Sequence, residues 1–213
     1  MDKIDFKKED KAFYSGKPGM FNLIEVPAWS FFMIDGHGVP YGVQYSQAIA
    51  ALYVLSYQMK FHSKRFHDRD YVVGPLEGLW WADDMGAFVT RQKDQWQWTM
   101  MIRQPDWLLA ADIDAVREAA IRKQGKQTEP RAEREVLERV RLEQLHEGQS
   151  VQTLHIGSYD EEGPLLAEMY DRFIPDQGLE MTGLHHEIYL SDPRRIAPDK
   201  LKTILRQPVK KRA

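Results

Sequence analysis

Apolar residues in this chain fall into short β-type runs separated by longer stripes with helical spacing. Asn22 to Val26 and Trp29 to Ile34 mix β-branched and aromatic residues on either side of Pro27 and stop at Gly36, the pattern of a strand kinked or held at an edge by the proline. From Gln44 to Lys60, the residues Ala48, Ala51, Leu52, Leu55 and Met59 recur at i, i+3, i+4, i+7 and i+11, which predicts a helix with one buried stripe. Tyr71 to Val73, Leu76 to Trp81 and Trp96 to Ile102 read as strands again, the last two joined by a loop containing Asp83, Asp84 and Gly86. Asp106 is placed to cap a helix running toward Arg122. Gly125 to Thr128 is the best linker, and Glu129-Pro130 opens a second charged helical stretch with Ala132, Val136, Leu137 and Val140 on one face.

The order then starts again. Gln152 to Ile156 ends at Gly157. Asp160-Glu161-Glu162-Gly163-Pro164 puts acidic residues and proline at a helix start, and Leu166, Met169, Tyr170 and Phe173 form its apolar stripe. Gly183 to Leu190 and Leu201 to Leu205 close the second half as strands. Residues recur along with the order: Met33-Ile34-Asp35-Gly36 answers His155-Ile156-Gly157, Gly78-Leu79 answers Gly183-Leu184, and Ile102-Arg103-Gln104-Pro105 answers Leu205-Arg206-Gln207-Pro208. These matches predict a single α+β domain over 1–213, built from a duplicated strand-helix-strand-strand unit, residues 20–106 and 140–209, with a helical connection between them. The strands of both halves are expected to form one antiparallel sheet with a pseudo-two-fold axis, helices on one face and a ligand cleft on the other.

Charge changes this picture by exclusion. With 29 basic and 32 acidic residues and a net charge of -3, nothing drives the chain toward nucleic acid, and the basic end Lys210, Lys211 and Arg212 reads as a solvated terminus. The absence of cysteine removes disulfides, thiolate metal sites and cysteine nucleophiles. No apolar run approaches the roughly 20 residues of a bilayer span, so the expected setting is cytoplasmic, with no membrane partner. Six Trp among 213 residues are the unusual feature, and they suit either a core or a pocket for a flat ligand.

Three stretches resemble the GyrI-like small-molecule-binding family: Gly74-Pro75-Leu76-Glu77-Gly78-Leu79-Trp80-Trp81-Ala82-Asp83, Trp98-Thr99-Met100-Met101-Ile102-Arg103-Gln104-Pro105, and His185-His186-Glu187-Ile188-Tyr189-Leu190-Ser191-Asp192-Pro193. The chain looks like the family's stand-alone bacterial branch, some members of which hydrolyse the cyclopropane ring of DNA-alkylating cyclopropanoids of the yatakemycin and duocarmycin type. Other relatives are drug-sensing modules and gyrase-inhibitor-binding proteins. The resemblance implies the duplicated fold, a cleft at the pseudo-two-fold axis, and an acidic cleft residue from the Glu-Ile-Tyr strand, here Glu187. Fold membership alone does not establish an activity.

In a strand, His185 and Glu187 share one face and His186 takes the other, so the three neighbours cannot converge on a metal, and no metal site or cofactor is expected. Glu187 is either a cross-strand partner of Arg103 or Arg206 or a cleft carboxylate, which desolvation would make a better base. Trp80, Trp81, Trp96 and Trp98 alternate within two strands, so half of them belong to the core. Glu187, Tyr71 and Tyr159 are the candidate catalytic residues, the phenols as donors to a developing oxyanion. Trp80, Trp81, Trp98, His185 and Tyr57 are candidate ligand contacts. The leading expectation is a cofactor-independent hydrolase acting on a small aromatic ligand, as a monomer or homodimer. The competing readings are a non-catalytic sensor or sequestering protein for aromatic or cationic drugs, and a protein-interaction module.

Overall fold

The computed structural model of the protein describes residues 3–83, 92–128 and 131–212; Asp84, Gly86, Glu129 and Pro130 lie outside them. Pro27 and Ala28 interrupt an otherwise continuous strand, giving β2 (Asn22–Val26) and β3 (Trp29–His37). His146 and Glu147 do the same between β7 (Arg141–Leu145) and β8 (Gly148–Ile156). These two bent strands pair antiparallel in one unbroken register, with Val26 opposite Gly148 and Trp29 opposite Leu145. Between them lie β5 (Leu76–Trp81), β6 (Gln97–Gln104), β10 (His185–Tyr189) and β11 (Lys202–Lys211), in the order β2-β8-β11-β10-β5-β6-β3-β7. Because the strands at the two ends of that order continue one another's register, the sheet curls until its ends meet. The order is palindromic about the β10·β5 pair, which puts the pseudo-two-fold axis there and leaves Glu187 directly opposite Gly78.

Among the helices, α1 (Phe6–Glu9) is a single turn. The main helix, α2 (Val43–Phe66), carries the expected stripe, with Ala48, Ala51, Leu52, Leu55 and Met59 all buried. It runs on past Lys60 because Ser63, also buried, accepts a hydrogen bond from Trp107 Nε1 and donates one to the Arg69 carbonyl, before Asp68 turns the chain at a φ of 53°. α3 (Ala110–Gln124) begins later than Asp106 suggested, because Asp112 accepts the Leu109 N–H at 2.8 Å and fixes the start there. The helical face expected through Val140 shrinks to α4 (Arg134–Arg139). Arg141–Leu145, helical by composition, is recruited as β7 by pairing with β3. In the second half α5 (Gly163–Glu168) continues through a π-helical turn, Met169–Phe173, into α6 (Ile174–Asp176).

Strand alternation sorts the side chains onto two faces, and both differ in content from the expectation. Phe32, Ile34, Trp80, Trp98, Met100 and Ile102 pack beneath α2, and Val151 and Leu205 pack with Met169 and Ile174 in the second half. Phe31, Met33, Leu79 and Met101 point the other way, as do Ile188 and Ile204, against a segment that contributes Phe6, Phe13 and Tyr14. This second face is therefore filled. Its register also buries four ionisable groups together. His186 stands 3.0 Å from both Glu147 and Glu77, and Arg206 reaches Glu147 at 2.7 Å as well as Gln152 and the Phe13 carbonyl. Nearby, Arg103 pairs with Asp10 at 2.7 Å and lies 3.7 Å above the Trp29 ring. The cleft is consequently on the helical face, in the gap between the helical units of the two halves, and not on the face opposite the helices.

Gly36 shows how tight the first face is. A Cβ there would meet the fully buried Trp98 ring at 2.1 Å. Gly36→Ala should lose about 1–3 kcal/mol of stability through overpacking, read as a lower urea midpoint with an unchanged slope.

Candidate functional site

The gap between α2 and the segment from Ser158 to Glu162 holds a cavity of about 1660 Å³ floored by the centre of the sheet. α2 supplies Tyr45, Tyr53 and Tyr57, the sheet supplies Trp80, Glu187 and Tyr189, and the segment before α5 supplies Tyr159 and Glu162, with Tyr41 and Trp96 at the edge. Tyr45 packs 6.1 Å from Trp80, Trp96 meets Trp80 edge-on at 5.9 Å, and Tyr159 meets Tyr189 edge-on at 5.5 Å. Flat apolar faces and phenol edges thus surround a carboxylate, an arrangement suited to stacking a planar ligand.

Glu187 is held by its own strand. Tyr189, two residues on and therefore on the same face, donates its hydroxyl hydrogen to Glu187 Oε2 at 2.8 Å, and that hydroxyl accepts Trp80 Nε1–H at 3.0 Å. His185 Nε2 lies 3.4 Å from Glu187 Oε1, without the alignment of a hydrogen bond. Tyr170 bonds the other imidazole nitrogen, Nδ1, at 2.7 Å. Burial and then the Glu187 charge keep the Tyr170 phenol protonated far above its usual range. Burial, followed by the same carboxylate, also pushes Tyr189 well above the ordinary phenol range. The alternative of an arginine partner for Glu187 is not realised. Arg103 and Arg206 sit on the filled face, bound to Asp10 and Glu147.

Glu162 is the residue that sequence reasoning passed over. It is 4% exposed, and its carboxyl is held well above the usual carboxylate range, first by burial and then by the Glu187 charge. Its Oε1 and the Thr203 hydroxyl both lack an aligned hydrogen bond among the described residues, although the hydroxyl stands close enough to ease the carboxylate charge. In the sequence Glu162 is one of three acidic residues at a helix start. Tyr189, by contrast, was legible from the period of two.

Of the expected site residues, the structure brings Glu187, Tyr159, Trp80 and Tyr57 to the cavity. His185 stands behind Glu187 and touches it. Tyr71 is fully buried among Phe6, Ile188 and Ile204 with its hydroxyl donating to Gln104, outside the cavity. Trp98 lies beneath Gly36 in the core, and Trp81 projects to the filled face with Leu79. Trp80 and Trp98 are cross-strand neighbours on the cavity face, both against Tyr45 of α2, but only Trp80 reaches the cavity while Trp98 is fully buried under Gly36.

Comparison with known proteins places these observations. The profile of the GyrI-like small molecule binding domain matches residues 20–210. Two crystal structures from Listeria innocua are similar over 98% of this chain and all of theirs: an uncharacterized conserved protein, 40% identical with a TM-score of 0.86, and a protein described as a hydrolase, 40% identical with a TM-score of 0.81. The C-terminal domain of EcmrR, at 12% identity and a TM-score of 0.56 over 90% of this chain and 98% of its own, shares the fold. No curated protein matches significantly. No helix among the described residues is long and apolar enough to cross a membrane. With the profile spanning nearly the whole chain and the sheet, helices and cavity arranged as described, the chain belongs to the GyrI-like small-molecule-binding family.

Proposed function

We propose that this chain is a cofactor-independent hydrolase that opens the cyclopropane ring of electrophilic cyclopropanoid DNA-alkylating compounds, a detoxification. The observation that carries the reading is the pairing, in one aromatic cavity, of Glu187 with a Glu162 whose carboxyl burial and the Glu187 charge hold well above the usual carboxylate range. In such a compound the strained ring is conjugated to a carbonyl. Glu187 takes a proton from water as its oxygen bonds to the ring methylene. The ring carbon–carbon bond breaks, and its electron pair flows through the conjugated system to the carbonyl oxygen, which becomes a phenolate. Glu162 supplies the proton that makes this oxygen a phenol, and Tyr159, whose own proton burial holds more tightly than in an ordinary phenol, donates a hydrogen bond to it. One water is added and nothing else is consumed. The stacking walls hold the methylene against the water, so positioning supplies much of the effect. The 40% identical Listeria protein described as a hydrolase supports the reaction class.

Incubating the protein with yatakemycin in ¹⁸O-labelled water tests this. The expected product, by mass spectrometry, is a ring-opened adduct with one ¹⁸O, formed faster than in buffer alone. The second reading is binding without turnover, favoured by the negative charge of Glu187 among aromatic faces, which suits a cationic aromatic drug. Tight binding with no adduct above the buffer rate would establish it in place of the first. Glu162→Gln keeps the shape and removes the acid; turnover should fall on the order of a hundredfold with binding little changed, measured by single-turnover kinetics and a binding titration.

A further inference from the structure

We propose that His62, His67 and Asp112, none of which lines the aromatic cavity, form a site for a divalent transition-metal ion such as zinc. His62 lies on the last turn of α2, His67 caps that helix, and Asp112 lies in the first turn of α3. No sequence spacing announces the group, because its members come from two helices joined through β4 (Asp70–Tyr71), β5 and β6. Packing of α2 against α3 brings them together. His62 Nε2 is 2.8 Å from Asp112 Oδ1, and His67 Nε2 is 3.0 Å from Oδ2. Among the described residues these form the group of three metal-ligating side chains whose donor atoms all lie within 4.8 Å of one another.

The chemistry of the set fits a borderline transition ion. Two imidazole nitrogens and one carboxylate are the donors of many zinc sites with one position left for water, and a hard ion such as magnesium would want more oxygen. In a tetrahedral zinc site neighbouring donor atoms stand about 3.3 Å apart, so the two histidine–aspartate contacts need to open by only a few tenths of an ångström to match it. The histidine and aspartate side chains are only 12–23% exposed, enough for entry and for a bound water. Supporting contacts are already in place. Asp112 Oδ2 is fixed by the Leu109 N–H at 2.8 Å, and the His62 ring packs 4.5 Å from Phe66. Both histidines aim the same nitrogen, Nε2, at opposite oxygens of one carboxylate. In the metal-free protein each donates a hydrogen there, and on metal binding the ring hydrogens shift to Nδ1 as Nε2 lone pairs take their place. The alternative is that the group is only a hydrogen-bonded tie between the two helices.

The test uses the full chain, stripped with chelator and titrated with Zn²⁺ by calorimetry and with Co²⁺ by visible absorption. One equivalent should bind, with d–d bands of a low-coordinate nitrogen and oxygen site and a rise in melting temperature. His67→Gln and His62→Gln should each weaken binding at least tenfold while circular dichroism shows them folded, and yatakemycin binding in the cavity should be unchanged. No stoichiometric binding by the wild type, or equal binding by both variants, overturns the site. Loss of melting temperature in the variants without any metal dependence in the wild type identifies the tie instead.

Discussion

Glu187→Gln should slow ring opening of a cyclopropanoid by about 10²–10⁴-fold, the usual contribution of a general base, while the ligand still binds. Glutamine keeps the volume and one oxygen acceptor for the Tyr189 hydroxyl, so the Trp80–Tyr189 chain stays in place and the walls of the cavity are undisturbed. What is lost is the capacity to take the proton of the attacking water. Removing the charge also withdraws one of the influences that hold Glu162 protonated, and burial, the larger one, remains. The acid should therefore survive in the variant, and the loss should appear in the chemical step rather than in binding. Single-turnover mass spectrometry with a parallel titration separates the two. Turnover at the wild-type rate would remove Glu187 from the mechanism, whereas loss of binding would mean that the carboxylate serves as a counter-charge for the ligand.

Arg206→Ala should cost about 3–5 kcal/mol of stability, the penalty of leaving a buried charge without its partner. Arg206 is fully buried and bonds Glu147, Gln152 and the Phe13 carbonyl, so the truncation leaves the buried Glu147 carboxylate with His186 as its remaining charged partner and releases a tie to the segment that covers this face of the sheet. The same cluster gives stability a defined pH profile. Burial works against charge on His186, yet the Glu147 and Glu77 carboxylates outweigh it and raise the imidazole from 6.5 to about 9. Burial likewise opposes ionised Glu147, but His186 and Arg206 bring it from 4.5 down to about 2. A raised histidine contributes fully below its unfolded value and loses that contribution as pH rises from 6.5 through about 9. A depressed carboxylate contributes above 4.5 and loses it as pH falls toward about 2. In urea unfolding the contribution of this cluster should therefore be largest between pH 4.5 and 6.5 and decline on both sides, superimposed on the loss that the raised Glu162 carboxyl adds as pH climbs above 4.5. A wild-type curve flat from pH 6.5 to 9 would contradict the charged state of His186.

Much of the architecture is determined by local pattern. The mix of β-branched and aromatic residues in Trp29 to Ile34, the helical stripe from Ala48 to Met59, and the Arg-Gln-Pro recurrence at the end of β6 and within β11 are properties of neighbouring residues, which is why they can be read without coordinates. Strand alternation puts His185, Glu187 and Tyr189 on one face and His186 on the other.

Which face is open is not a local property. The sequence separates two sets of side chains but carries no sign for inside and outside, and here the segment bearing Phe6, Phe13 and Tyr14 closes one side while the gap between the helical units leaves the other accessible. Tyr71, Trp81 and Trp98 read like Trp80 and Tyr57 by composition and differ only in what long-range packing lays over them. Glu162 acquires its raised carboxyl from burial beside a residue on another strand, and Arg141–Leu145 becomes a strand because β3 offers it an edge. Periodicity and repetition within short stretches thus determine the elements and their facing. The open side, the buried charges and the raised carboxyl of Glu162 are decided only in the tertiary structure, because each depends on groups tens of residues apart meeting in a low-dielectric interior.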